Sequence, residues 1–266
     1  MKSQLLKHNA MKYINTIGVL TLCKREIWRF SKVWNQTVVA PIVTTLLFLA
    51  VLMLAMGGNE RMIDHVPYGE FIAPGLVMMA IVQNAFANTS SSLMLGKIQG
   101  VIIDILMPPL TGSEIVFCLV IGGLVRGVLV GIVVMASVYM FVPFSLMHPW
   151  IGLYYVVSAC LMLALLGILT GIWAQSFDQL AAITNYIITP LSFLSGTFYS
   201  IKQLPEFWYY VCHFNPFFYM IDGFRYATVG YTDGTVGLGM VVMAITNIAL
   251  WAVTAILFSR GYRLKT

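Results

Sequence analysis

Residues 96–114 read "GKIQGVIIDILMPPLTGSE", a polar-flecked stretch between two of the longest apolar runs in the chain. From Lys97 to Leu106, the apolar residues Ile98, Val101, Ile102, Ile105 and Leu106 recur at spacings of three and four. Lys97, Gln99, Gly100 and Asp104 take the other faces. The pattern predicts an amphipathic helix of about ten residues, roughly 15 Å long. Pro108 and Pro109 end it, because proline has no N–H to donate and disfavours a helical residue before it. Such a helix is too short to cross a bilayer. It either lies flat in the interface or presents a face to another protein, the plain alternative being a connector packed on its own helices.

The flanking sequence gives the fold class. Of 266 residues, 59% are hydrophobic and 9% charged, whereas a soluble domain carries about 25% charge. A helix needs about 20 apolar residues to cross the hydrocarbon core. Six stretches qualify, 38–56, 71–95, 115–141, 150–173, 180–199 and 238–258, and Arg126 is the only charge in them. The expectation is an all-α integral membrane protein, one domain over 1–266, with an N-terminal segment (1–35) ahead of a six-span core (36–266).

The first apolar run follows a long polar and basic segment, unlike a secretory signal, so the N-terminus is expected to stay in the cytosol. The spans then place eleven basic residues inside (Lys2, Lys7, Lys12, Lys24, Arg25, Arg29, Lys32, Lys97, Arg260, Arg263 and Lys265) and three outside (Arg61, Lys202 and Arg225). That asymmetry obeys the positive-inside bias, and both termini fall in the cytosol. The net charge of +5 follows from this topology and anionic inner-leaflet lipid; no basic patch interleaved with aromatics suggests nucleic acid.

Three further features stand out. Leu20, Cys23, Ile27, Phe30 and Trp34 recur at helical spacing before the first span, with Lys24, Arg25, Arg29 and Lys32 on other faces, as in a helix on the inner surface. Between Phe198 and Tyr226 lie twelve of the 35 aromatic residues, in a segment broken by Pro205 and Pro216. That segment, with Trp208, Asn215 and Arg225, is expected to form re-entrant or interfacial helices before the sixth span. The third span carries Gly123, Gly127 and Gly131 on one stripe, which lets another helix approach closely, in this subunit or in a second copy. Arg126 in that span needs a partner: a buried pair, a reach to the inner face and transport chemistry are all open.

Catalytic constellations are missing. The one Gly-Lys pair, Gly96-Lys97, is followed by Ile98, so no phosphate-cradling loop exists, and no G-x-S-x-G or H-E-x-x-H occurs. His8, His65, His148 and His213 are scattered, and Cys23, Cys118, Cys160 and Cys212 suggest neither a disulfide framework nor a metal site. No enzyme activity, metal or cofactor of its own is expected.

"FIAPGLVMM" (71–79), "ITPLSFLSGTFYSIKQLP" (188–205) and "NPFFYMIDGFRY" (215–226) resemble segments of type-2 ABC exporter permeases, bacterial inner-membrane subunits of the drug-, polysaccharide- and Nod-factor-exporting kind. The likeness covers nearly the whole chain. It implies a six-span half-transporter that pairs with a second copy and docks on two separate ATPase subunits, which would bind the ATP and Mg. It also implies that 97–106 is the helix seated in an ATPase cleft, resting more on apolar fit than on charge, since this chain offers Gln99-Gly100 and one acid, Asp104. A turn around Asp178 would be a second cytosolic contact, 20–34 the family's connecting helix, and 202–225 its re-entrant outer helices. ATP-driven closure of the partner would then push 97–106 as a lever on spans one, two and five, with Pro74 and Pro190 freeing carbonyls along the path. The cargo would be an amphipathic, lipid-linked or drug-like molecule moved outward. The alternative is an ion-coupled secondary transporter built of two inverted three-span repeats, with the prolines of spans two and five in matching places.

Overall fold

The computed structural model describes residues 15–56 and 61–261. Lys2, Lys7, His8, Lys12, Glu60, Arg263 and Lys265 lie outside the described residues, as does the side chain of Leu106. Helix α1 (Thr16–Ser31) starts on Asn15, whose side chain accepts from the Gly18 N–H. Helix α2 opens with a π turn (Asn35–Val39) and continues as Ala40–Ala55. A two-stranded hairpin, β1 (Met62–Ile63) and β2 (Val66–Pro67), leads into α3 (Tyr68–Ile98). Then come α4 (Ile102–Leu106), α5 (Gly112–Tyr139) and α6 (Pro149–Trp173). The α7 segment (177–194) is a helix, Phe177–Ile183, a π turn, Thr184–Ile188, and a last turn, Thr189–Leu194. Two shorter helices, α8 (Glu206–Phe214) and α9 (Pro216–Val229), precede α10 (Val236–Ser259).

Five of these helices, α2, α3, α5, α6 and α10, are long and apolar enough to cross a membrane. The sixth expected span, 180–199, is a shorter and interrupted helix that stops at Leu194, and Gly196 (φ +70°) turns the chain away. The interruption has a local cause. A proline ring clashes with the carbonyl four residues before it, here Tyr186 before Pro190 and Thr37 before Pro41. In both helices a π turn ends two residues ahead of the proline, and its wider ring relieves the clash. Thr189 thus donates back to the carbonyl of Thr184, five residues earlier.

Helix α3 is the axle. Of its most apolar stretch 83% is buried, against 11% in α2 and 22% in α10. It is gripped from two sides by glycines. On α5, a Cβ at Gly123 would stand 3.1 Å from the Ala85 carbonyl oxygen, and one at Gly127 3.2 Å from that of Ile81. On α6, a Cβ at Gly167 would lie 2.1 Å from Thr89 Oγ1 and 2.6 Å from the Phe86 carbonyl. The Thr89 hydroxyl donates across this contact to the Ala164 carbonyl at 2.8 Å. Gly131 faces the Ile81 side chain in the same row. The glycine stripe therefore packs within the subunit.

The chain alternates between two ends. At one, called the lower end, the termini of α3, α6 and α10 meet the start of α5; at the other, the upper end, lie the hairpin, α8 and α9. The upper end is closed by one buried polar network. Arg225 on α9, which the sequence places in the outer re-entrant segment, is fully buried. Its guanidinium donates to the carbonyls of Phe71 and Gly196, lies 3.7 Å from Asp222 and covers the Phe71 ring at 3.9 Å. Asp222 accepts the Asp233 and Gly234 N–H groups, and Asp233 accepts from Ser200, Ile201 and Tyr231. Burial raises the Tyr231 phenol above its ordinary pKa, as does the Asp233 carboxylate it bonds, so it remains a donor.

Two stability predictions follow from these contacts. Gly167→Ala should lower stability by roughly 1–3 kcal/mol through overpacking, while Gly237→Ala, whose Cβ would meet nothing within 4 Å, should leave the melting temperature in detergent unchanged. Arg225→Met leaves Asp222 buried and unpaired and should cost roughly 3–5 kcal/mol, read from the same thermal melt.

Candidate functional site

At the lower end α3 runs straight through to Ile98, so Lys97 and Ile98 belong to it and not to a separate ten-residue helix. Gln99 caps it, Gly100 turns the chain at φ +71°, and from Val101 the chain enters α4, only five residues long. Glycine is needed here because a side chain is strained in that left-handed conformation. Pro108 and Pro109 end the tip, and Thr111 with Glu114 forms a reciprocal cap that starts α5.

The apolar stripe read from sequence faces inward. Ile102 and Ile105 are 4% and 2% exposed and pack with Leu93, Ile115 and Leu119. The outward face is Ile98, Ile103 and Met107, the last two 57% and 76% exposed, beside the exposed Asp104. Lys97 holds the tip from behind: its ammonium donates to the Ile172 carbonyl and, at 3.2 Å, to that of Ala174, the orphan carbonyls at the end of α6. Those bonds bring a second tip alongside. Trp173, Phe177 and Asp178 are exposed there, and Ser176 with Gln179 caps the start of α7. Ile103, Met107 and Phe177 escaped the sequence reading; the exposed residue just before Pro108 was the available hint.

Helix α1 runs lengthwise along α5. Its contacts move from Cys118, which donates to the Val19 carbonyl, to Gly122, where Glu26 fills the space a side chain would occupy. The buried face is Leu22, Glu26 and Phe30, whereas Leu20 and Trp34 from the expected stripe are exposed and Ile27 is half-buried. Lys24, Arg25 and Lys32 point outward with Trp28. Arg29 turns inward, pairs with Glu26 at 3.3 Å and donates to Ser91 and to the side chain and carbonyl of Asn88 on α3.

One turn higher on α3 the same pairing repeats with Asn84 and Arg126. The Asn84 amide nitrogen is committed to the Ala80 carbonyl, which turns its oxygen toward Arg126 Nε at 3.3 Å. This settles the partner of Arg126, but incompletely. Among the described residues the guanidinium makes one hydrogen bond and no ion pair. A guanidinium has five N–H donors, and a charge left unpaired at membrane depth costs about 2.5–3.5 kcal/mol on insertion scales.

Arg126 opens onto a cleft of about 500 Å³ between α2, α3 and α7. Gln36, Thr44, Gln83, Asn84 and Thr184 line its lower part, Phe48, Leu76, Met79, Phe193 and Phe198 its upper part. Among the described residues no carboxylate lines it. Both π turns border it, through Gln36 and Thr184. The prolines expected along a path do not line it: Pro74 is buried inside α3, in the turn whose Phe71 carbonyl Arg225 takes, and Pro190 sits behind Thr189. Among the described residues no group of His, Cys, Asp and Glu side chains could hold a metal ion.

The upper aromatic segment forms two helices of nine and fourteen residues, each too short to cross. Pro205 precedes α8 and Pro216 opens α9, while Trp208 is exposed. Asn215 joins them, donating to Leu191 and Ser195 on α7 and capping α9 through Phe217.

Comparison with known proteins agrees with this architecture. The family model for the ABC-2 type transporter matches residues 18–229. Inner membrane transport permease YadH of Escherichia coli (strain K12) is 35% identical over 258 residues, covering 96% of this chain and all of the relative. Nodulation protein J of Rhizobium leguminosarum bv. viciae is 25% identical over 247 residues, covering 88% and 93%. The chain, matched from α1 to the end of α9, belongs to the ABC-2 type transporter family.

Proposed function

We propose that the chain is the membrane-spanning permease subunit of an ATP-driven exporter in a bacterial inner membrane. Two copies pair, and two separate ATPase subunits, which bind ATP and Mg, dock beneath them at the lower end. In this reading α7 is the sixth crossing, the lower end is cytosolic and both termini lie there. The inner-membrane name of the Escherichia coli relative supports the location, and the crowding of basic residues at the lower end supports the orientation.

The observation that carries the reading is the construction of the tip. A surface meant only for water has no reason to display Ile98, Ile103 and Met107 together, and a surface meant to transmit force must be rigidly backed. Ile102 and Ile105 fix the tip to the core from inside, and Lys97 ties its base to the end of α6. Closure of the ATPases presses on this knob, and α3 carries the displacement about 45 Å upward, at 1.5 Å per residue, to the cap held by Arg225. Helices α2 and α7, like α10, are loosely packed, and in this reading the outward apolar faces of α2 and α7 form the seam with the second copy, so displacement of α3 changes the cleft between them. An amphipathic, lipid-linked or drug-like cargo leaves by that route.

In a complex purified with its ATPase, Ile103→Asp with Met107→Asp should reduce transport-coupled ATP hydrolysis by about tenfold or more, the effect of losing apolar anchors worth over 1.4 kcal/mol at an interface. Its thermal melt should be unchanged. Ile102→Asp, by contrast, buries a charge and should lower the melt itself. Full coupling in the Ile103/Met107 double variant, or failure of any ATPase to co-purify in mild detergent, would refute the proposal.

A further inference from the structure

We infer that the cleft between α2, α3 and α7 recognises an anionic amphiphile, its headgroup taken by Arg126 and its apolar chain lying upward among Phe48, Leu76, Phe193 and Phe198. The inference rests on that cleft being the export path and names the class of cargo it takes.

Charge is the first support. Among the described residues Arg126 is the one charged residue lining the cleft, and its bond to Asn84 leaves guanidinium donors without partners there. Asn84 itself cannot turn to offer more, because its nitrogen is held by Ala80. Arg29, anchored one helical turn below on Asn88 and paired with Glu26, makes no hydrogen bond to Arg126 and takes no acceptor from it. An anion entering beside Arg126 is attracted by its charge and, among the described residues, meets no carboxylate in the lining.

A second copy of the chain does not supply the missing counter-charge. The sequence places no acid inside any of the apolar stretches. Glu26 pairs with Arg29 through Oε2, its Oε1 being buried without a hydrogen-bond partner, and Asp222 and Asp233 are held in the upper cap. No acid inside an apolar stretch of a second copy is therefore available to pair with Arg126, which favours a partner from outside the chain.

Polarity along the cleft gives the rest of the ligand's shape. On α3, Asn84 and Leu76 are eight residues apart, about 12 Å along the axis, and the lining passes over that distance from amides and hydroxyls to aromatic and aliphatic side chains. The same gradient runs along α2 from Gln36 to Phe48 and along α7 from Thr184 to Phe193. A molecule with its charged end low and its apolar end high is oriented as an inner-leaflet lipid is. A volume of about 500 Å³ suits a single chain with a compact head.

The test uses full-length permease in nanodiscs of phosphatidylcholine, without the ATPase. Binding of radiolabelled dodecyl phosphate is compared with that of dodecyl trimethylammonium and dodecyl maltoside, in the wild type, Arg126→Gln and Arg126→Lys. The expected result is saturable binding of dodecyl phosphate alone, weakened about tenfold or more in Arg126→Gln by loss of a charge-assisted contact, largely kept in Arg126→Lys, and not displaced by millimolar inorganic phosphate. Equal binding of the three probes by the wild type overturns the proposal even if no variant folds. So does dodecyl phosphate binding that Arg126→Gln leaves intact. Displacement by inorganic phosphate overturns the amphiphile in favour of a free anion. Because no ATPase is present, these outcomes are separate from coupling, which is scored on the complex.

Discussion

The structure depends on how closely three helices approach. Gly123 and Gly127 on α5 and Gly167 and Gly171 on α6 bring both backbones against α3, so near that a methyl group at any of them would press on a carbonyl, a side chain or both. Hydrocarbon solvent gives apolar side chains no reason to leave it, so helices in a membrane are held by contact area and by hydrogen bonds across the contact. Close approach supplies the first, and the Thr89 bond to Ala164 supplies the second. An α3 held in this way moves as a unit with α5 and α6, and can link an upper cap to a lower tip.

Everything polar inside the bundle is arranged around that unit. Arg225 fastens the upper end of α3 to α9 and to the turn after α7, and Arg29 fastens α1 to its lower half. Each of these two arginines has an ion-pair partner and backbone acceptors: Arg225 takes two carbonyls through Nε and Nη2 and lies 3.7 Å from Asp222 through an Nη1 that makes no hydrogen bond, and Arg29 takes Asn88, Ser91 and Glu26. Arg126, at intermediate depth, differs in having an amide and nothing else. Buried arginines that serve structure are surrounded by acceptors, and the contrast among the three is the support for the recognition role proposed for Arg126.

Much of this was legible in the amino-acid sequence. Long uncharged runs, the proline at each break and the four-residue spacing of Gly123, Gly127 and Gly131 are properties that local physics translates directly. What sequence could not give was direction. In a soluble protein an apolar stripe faces the core, but here lipid, core and partner are all apolar, so the spacing of Ile102 and Ile105 leaves interface, partner and core open and does not reveal Ile103 and Met107 as the exposed pair. For the same reason α1 was read by its regular spacing, while the side chain that fits deepest is Glu26, admitted by the small residue opposite, Gly122. Lys97 and Arg225 were counted as charges obeying a topology rule, whereas their positions are set by the carbonyls they satisfy.

The uneven tightness of the bundle also dictates where the molecule can vary. Around α3 nearly every position is fixed by a neighbour within van der Waals reach, so a change of volume there is felt along the axle. Helices α2 and α7 have most of one flank uncovered, and each has a widened turn that already accommodates one residue out of step. A change of side-chain volume on those two walls therefore disturbs fewer neighbours, and in the proposed reading they are also the walls that face the cargo. A lineage built on this plan can retune what it carries while leaving its transmission untouched.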